Sequence, residues 1–347
     1  MKFNLKKNTV LLFLIILCNQ SFGAKKDSLL SYYEDLKTRI LLVCLQTESP
    51  KFVEKLTKKG ELAEINLYRN AIKNTNSNLI KSVKLCWKLN TEIRIIPIDS
   101  LEWFRENFPK KYGYLTLSSS QIHSGGAISV GSENVIRFSS LGLHLFLCDR
   151  KQSIGYSNFP NDEIGQDIPK EEKQNNVIYS DYYVSSAKFI YSLYRINYFY
   201  TDLTNGIAPY FNSRNAVNSG CARGSELNKF RSKTLVARLQ DCDKHFDLEK
   251  AKKYYPYPVK IVSEDEFERY LFSKDPNIAC FFVSLISSNT MGGGGASRTK
   301  IMYMQQAINA DDGKIATGFV GSFALNYKAL EGFIKILGKM EKQNDQK

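Results

Sequence analysis

Recognisable catalytic motifs are what this sequence most lacks. It has no Gly-x-Ser-x-Gly elbow, no His-Glu-x-x-His and no dinucleotide fingerprint, so the nucleophile-elbow hydrolases, zinc proteases and Rossmann enzymes that carry those motifs are set aside. No block of five like charges occurs, which argues against a nucleic-acid-binding arm. No run approaches the ~20 apolar residues that cross a bilayer, so no transmembrane segment is expected. There is no Cys-x-x-Cys and the cysteine spacing is irregular. Histidine is scarce, with three in the chain. His144 sits in LGLHLFL and reads as a strand residue, and His123 lies in a glycine-bearing loop. His245 follows a strand, three residues after Cys242 among acids. Structural zinc wants four protein ligands, usually as paired motifs, and no second pair accompanies Cys242 and His245. They remain weak candidates for a metal or for a nucleophile–base pair. No metal and no cofactor is expected.

What is present begins at the N-terminus. Lys2, Lys6 and Lys7 precede a nine-residue apolar run at 10–18 (VLLFLIILC), and Ser21 and Gly23 stand at −3 and −1 of a cut before Ala24. That pattern reads as a secretory signal peptide over residues 1–23. The protein is expected to be exported, to the periplasm or beyond. The remaining 324 residues (347 − 23) suit two domains, with a net charge near +10 from 45 basic and 35 acidic residues. A mildly basic exported chain could meet an anionic envelope component or another envelope protein. No nucleic-acid partner is expected. Six cysteines follow the cut. Cys44 and Cys280 sit in apolar runs that read as buried strands, whereas Cys221 and Cys242 have polar surroundings and are the disulfide candidate.

The productive signal is internal. Residues 39–46 (RILLVCLQ) match 233–240 (KTLVARLQ), and residues 93–118 align without a gap to 259–284 at an offset of 166. Four identities recur: Ile95/Ile261, Asp99/Asp265, Glu102/Glu268 and Ser118/Ser284. Each copy reads as a short strand, an Asp placed to cap an amphipathic helix, a turn and a second strand. At the same offset residues 135–138 fall on 301–304. Asp149 falls on Asp312 after a three-residue length difference, with Asp312-Gly313 a hairpin turn. The expected fold is therefore α/β, a tandem duplication of a β-α-β-α-β-β-β-α unit with helices packed on mixed sheets. The first unit spans 24–203, with a polar insertion at 160–179 and two helices between its first strands. A linker at 204–225 leads to the second unit at 226–347.

Within that scheme the run TMGGGGASRTK at 290–300 is a strand-to-strand loop. A phosphate loop needs Gly-Lys-Ser/Thr opening a helix, and this glycine run leads into a strand. Gly125, Gly126, Gly292 and Gly293, with Arg298 and Lys300, are candidates for touching an anionic ligand or partner. The helix expected over 184–201 is apolar around most of its surface, which argues burial between layers or units. Tyr191, Tyr194 and Tyr198 share one face and are the other binding candidates. The leading reading is an exported, non-catalytic bacterial envelope protein acting as an adaptor or binding module. The alternatives are a periplasmic small-ligand-binding protein with a cleft between the units, and a hydrolase using Cys242 and His245.

Overall fold

A computed structural model describes residues 28–124, 136–159, 183–205, 230–291, 297–321 and 324–344. The expected signal peptide, the insertion at 160–179 and all but the first two residues of the linker lie outside the described residues.

The described residues are α/β, with helices packed on two mixed five-stranded sheets. Helix α1 covers 28–38. It is followed by β1 (Ile40–Leu45), α2 (Pro50–Lys58), α3 (Leu62–Cys86), β2 (Ile93–Pro97), α4 (Leu101–Asn107), β3 (Tyr112–Ser124), β4 (Ile136–Leu147), β5 (Gly155–Asn158) and α5 (Ser186–Thr204). The second half holds β6 (Thr234–Arg238), α6 (Leu248–Ala251), β7 (Val259–Val262), α7 (Glu264–Ser273), β8 (Ile278–Met291), β9 (Ser297–Asn309), β10 (Ile315–Gly321) and α8 (Tyr327–Asn344).

Local chemistry explains the boundaries. Ser49 accepts from Phe52 N at the start of α2, where proline takes the first helical turn without losing a bond. Ser263 and Glu266 form a capping box at α7. This corrects the expectation for the repeated aspartates. Asp265 lies inside the first turn of α7, behind the Ser263 cap, and Asp99 sits in a 3₁₀ turn ahead of α4. A serine with extended backbone precedes α7 and holds its cap position, so Asp265 stands two residues too late.

Both sheets have the same strand order and sense. The first runs β2-β1-β3-β4-β5 and the second, read from its other end, β7-β6-β8-β9-β10. The first three strands are parallel, the fourth runs antiparallel to the third, and the fifth runs antiparallel to the fourth. Continuous apolar strands such as ILLVCL suit the doubly covered middle of a parallel sheet. Ile40 pairs with Tyr112 and Thr234 with Ile278, so third-strand positions correspond at 166 (278 − 112). The fourth strand departs from that offset. Ser124 pairs with Ile136 and Thr290 with Arg298, which sets a correspondence of 162 (298 − 136). Residues 135–138 therefore do not match 301–304, and Asp149 corresponds to Asp311 rather than Asp312. A ladder fixes register by hydrogen bonds across strands, and the shorter β8–β9 connection shifts everything after it.

Arg39 and Lys233 show what that correspondence holds. Arg39 donates to Asp149 at 3.0 Å, to Asp35 at 2.7 Å and to the Pro109 carbonyl at 2.9 Å. Lys233 donates to the Pro276 carbonyl at 2.6 Å and lies 3.7 Å from Asp311. Each buried cation ties the start of a central strand to the turn before the third strand and to the end of the fourth.

α5 packs between the two sheets. Phe189, Ile190 and Leu193 are fully buried against Leu115, Leu143 and Leu145 of the first sheet, and each contributes roughly 1.5–3 kcal/mol. The same core cluster continues into Cys280, Phe282 and Ile308 of the second sheet. The far face of the second sheet is closed by α8 through Leu330 and Phe333.

Candidate functional site

Two of the tyrosines chosen as binding candidates lie inside the protein. Tyr191 is 1 % exposed; its hydroxyl donates to Gln306 Oε1 at 2.8 Å and its ring meets Phe282 at 5.0 Å. Tyr194 is 5 % exposed and reaches the Ala310 carbonyl at 3.5 Å. Gly313, at φ +74°, receives the Tyr194 ring so closely that a Cβ would stand 2.2 Å from it. Tyr198 is partly buried against the same core. Tyr191 and Tyr194 are therefore corrected from binding surface to packing, because α5 is covered on both sides.

The glycine candidates Gly125, Gly126, Gly292 and Gly293 lie outside the described residues. They fall in the connections β3–β4 and β8–β9, and β9 begins at Ser297, two residues past the last glycine of the second run. The backbones of Arg298 and Lys300 pair with Thr290 and Ser288 at the far end of that hairpin.

The Cys242 thiol donates to the carbonyl of Arg238 at the end of β6, at 3.4 Å. Burial pushes this thiol up to about 12, with Asp241 adding to the shift. A thiol held protonated is a poor nucleophile. Cys242 is a free thiol, and Cys221, its expected bridge partner, lies outside the described residues. His245 is exposed, and its backbone is held by Asp243 Oδ1 at 2.9 Å. Among the described residues no three His, Cys, Asp or Glu side chains gather as a metal-ligand set.

A charged cluster that the sequence reading missed sits at the carboxyl ends of β6 and β7, the place where open α/β sheets present ligand sites. Arg238 is fully buried and forks onto Asp241 at 2.7 and 2.8 Å. It also reaches Glu264 at 3.0 Å and covers the Phe267 ring. Gln240 donates to Glu264 at 3.1 Å. Buried ions must be paired and hydrogen-bonded, and this arrangement satisfies that need within the chain. Its role is to join β6 to α7. The sequence signal, Arg-Leu-Gln-Asp at a strand end, was visible, but nothing in it indicated Glu264.

The surface feature with a binding character is on α4. Trp103 is 55 % and Phe108 42 % exposed, although both are large aromatics. Their ring centroids are 5.4 Å apart, and Phe104 and Tyr112 extend the cluster inward at 5.0 and 5.1 Å. Lys111 lies over the Phe108 and Tyr112 rings at 5.8 and 5.6 Å. Edge-packed aromatics with a cation beside them form a firm, partly apolar surface at little entropic cost.

The chain matches no family model, no curated protein and no solved structure. Among the described residues no helix is long and apolar enough to cross a membrane.

Proposed function

We propose that this is an exported, non-catalytic protein of the bacterial envelope, an adaptor or binding module built by tandem duplication of one α/β unit. The duplication is supported by the shared strand order and by the paired cations Arg39 and Lys233 with Asp149 and Asp311. The observation that carries the binding role is the exposed Trp103–Phe108 pair with Lys111 beside it. Clustered exposed aromatics mark interaction surfaces, and Trp is enriched among residues that dominate binding energy. The partner is another envelope protein or an anionic envelope component. Packing of Tyr191 and Tyr194 between the sheets weighs against a ligand cleft there, and the raised Cys242 thiol weighs against a thiol hydrolase.

The test is a pull-down of the tagged protein from gently solubilised native envelope, run in parallel with a Trp103→Ala/Phe108→Ala variant. A stoichiometric partner that the variant loses supports the reading. Substrate turnover abolished by one point substitution would sink it.

A further inference from the structure

We propose that the outer face of the first sheet, centred on His144, docks an amphipathic helix of a partner protein in the way the second sheet already holds α5. The inference rests on the adaptor reading and says how the adaptor grips.

The two sheets correspond position by position. His144 pairs with Thr116 and Tyr156, and Gln306 pairs with Phe282 and Gly318. Gln306 lies beneath α5 and accepts the Tyr191 hydroxyl at 2.8 Å. It is 2 % exposed, and its neighbours Phe282 and Ile308 are fully buried. In the first sheet α4 packs on this face beside β1 and β2, through Leu101 and Phe104, but among the described residues no helix takes the place of α5. Thr116, His144 and Phe146 are half-buried there, and Tyr156 is 47 % exposed. His144 Nε2 is shielded from solvent and has no hydrogen-bond partner. A shielded polar nitrogen costs free energy until it is satisfied. It sits where Gln306 takes a hydroxyl from a helix.

A second correspondence sets the direction of the docked helix. Glu268 on α7 accepts from Ala187 N in the first turn of α5, at 3.3 Å, where a carboxylate complements the positive end of a helix. Its counterpart in the first unit is Glu102 on α4, 64 % exposed and 2.9 Å from Arg105. The face thus offers counterparts of two polar contacts that α5 makes with the second unit: a carboxylate for the first turn and a polar atom for a side-chain hydroxyl one turn later. One difference defines the partner. Where α7 has the fully buried Leu271, α4 has Arg105, whose Nε is shielded and without a partner. The partner helix therefore carries a hydrogen-bond acceptor beside Arg105, where α5 meets only apolar surface.

The probe is a fluorescein-labelled peptide of residues 184–204 with a C-terminal lysine tag, added to the chain from residue 24 onward and followed by anisotropy. Saturable binding is expected, tightened by Arg105→Leu because that change recreates the second sheet's surface. His144→Leu should weaken binding about fivefold, the value of one hydrogen bond, and Glu102→Lys by a similar factor. A peptide with Tyr191→Phe should lose the same factor on the unsubstituted protein and nothing further on His144→Leu. If His144→Leu does not fold, Tyr156→Arg blocks the same face from an exposed position. No binding to either the unsubstituted or the Arg105→Leu protein overturns the proposal, as does binding indifferent to His144→Leu. A concentration-dependent dimer dissolved by His144→Leu assigns the face to a second copy and overturns it too. None of these results touches the adaptor reading, which stands or falls on the Trp103/Phe108 pull-down.

Discussion

Arg39 and Asp149, 110 residues apart, form an ion pair at 3.0 Å between a buried guanidinium and a partly exposed carboxylate, and it joins the start of β1 to the end of β4. The Arg39 guanidinium also spans the carbonyls of Pro109 and Tyr112, at 2.9 and 3.3 Å, and the carboxylate of Asp35. One side chain thus connects α1, the turn before β3 and the end of β4. Lys233 makes the simpler version in the second sheet.

Arg39→Ala should therefore destabilise the protein by about 2–3 kcal/mol, because it leaves carbonyls and a half-buried carboxylate without their donor. Lys233→Ala should cost about 1–2 kcal/mol, since one carbonyl bond and a longer ion pair are lost. Urea unfolding of both variants checks the order, and equal losses would contradict it.

The contact between α5 and the β9–β10 turn should behave as a wedge. Gly313→Ala places a Cβ 2.2 Å from the Tyr194 ring at a left-handed backbone position, at a cost of about 2–4 kcal/mol. Tyr194→Ala in the same chain should recover the steric part. A double-mutant cycle reads the coupling, and additive losses would mean the two residues do not meet.

Two carboxylates should shape the acid limb in opposite senses. Burial pushes Asp149 up, but hydrogen bonds and charge from Arg39 outweigh it and hold its carboxyl below the usual range. Its contribution is present above the unfolded value and is lost as pH falls through the lower folded value. Asp149→Asn should flatten the loss of stability in acid. Burial holds Glu268 above its usual range, despite donation from Ala187 and Ser186. Its contribution is present below the unfolded value and is lost as pH rises through the folded one. Glu268→Gln should leave stability at neutral pH unchanged or raised while keeping the acceptor for α5. Denaturant midpoints from pH 3 to pH 8 follow both signs.

Burial pushes the thiols of Cys44, Cys86 and Cys242 up to about 12 and that of Cys148 to about 11. In a Cys221→Ser variant lacking residues 1–23, Ellman's reagent at pH 8 should label these cysteines slowly when folded and fully in guanidinium. Rapid labelling of Cys242 in the folded protein would revive the hydrolase reading.

Several elements were legible in the sequence for local reasons. β1, β6 and β8 declared themselves as continuous apolar runs, and two helices were expected between β1 and β2, where α2 and α3 lie. The burial of α5 followed from its lack of a polar face. Helix α1 was not among the expected elements, although Leu29, Leu30, Tyr33 and Leu36 have helical spacing. At the candidate surface, no motif or periodicity singled out Trp103 and Phe108, since a seven-residue helix is too short for its pattern to show which side meets solvent.

By itself, then, the sequence determined the α/β class, the strand-forming segments and the 166-residue correspondence of third strands, because hydrophobic period acts over a few neighbouring residues. Tertiary structure alone decided the 162-residue register of the fourth strand, the Arg39–Asp149 and Arg238–Glu264 pairs, and the seating of α5 between two sheets. These depend on which distant groups the closed ladders bring within hydrogen-bond reach. That proximity is a property of the assembled sheets, with no counterpart in local composition.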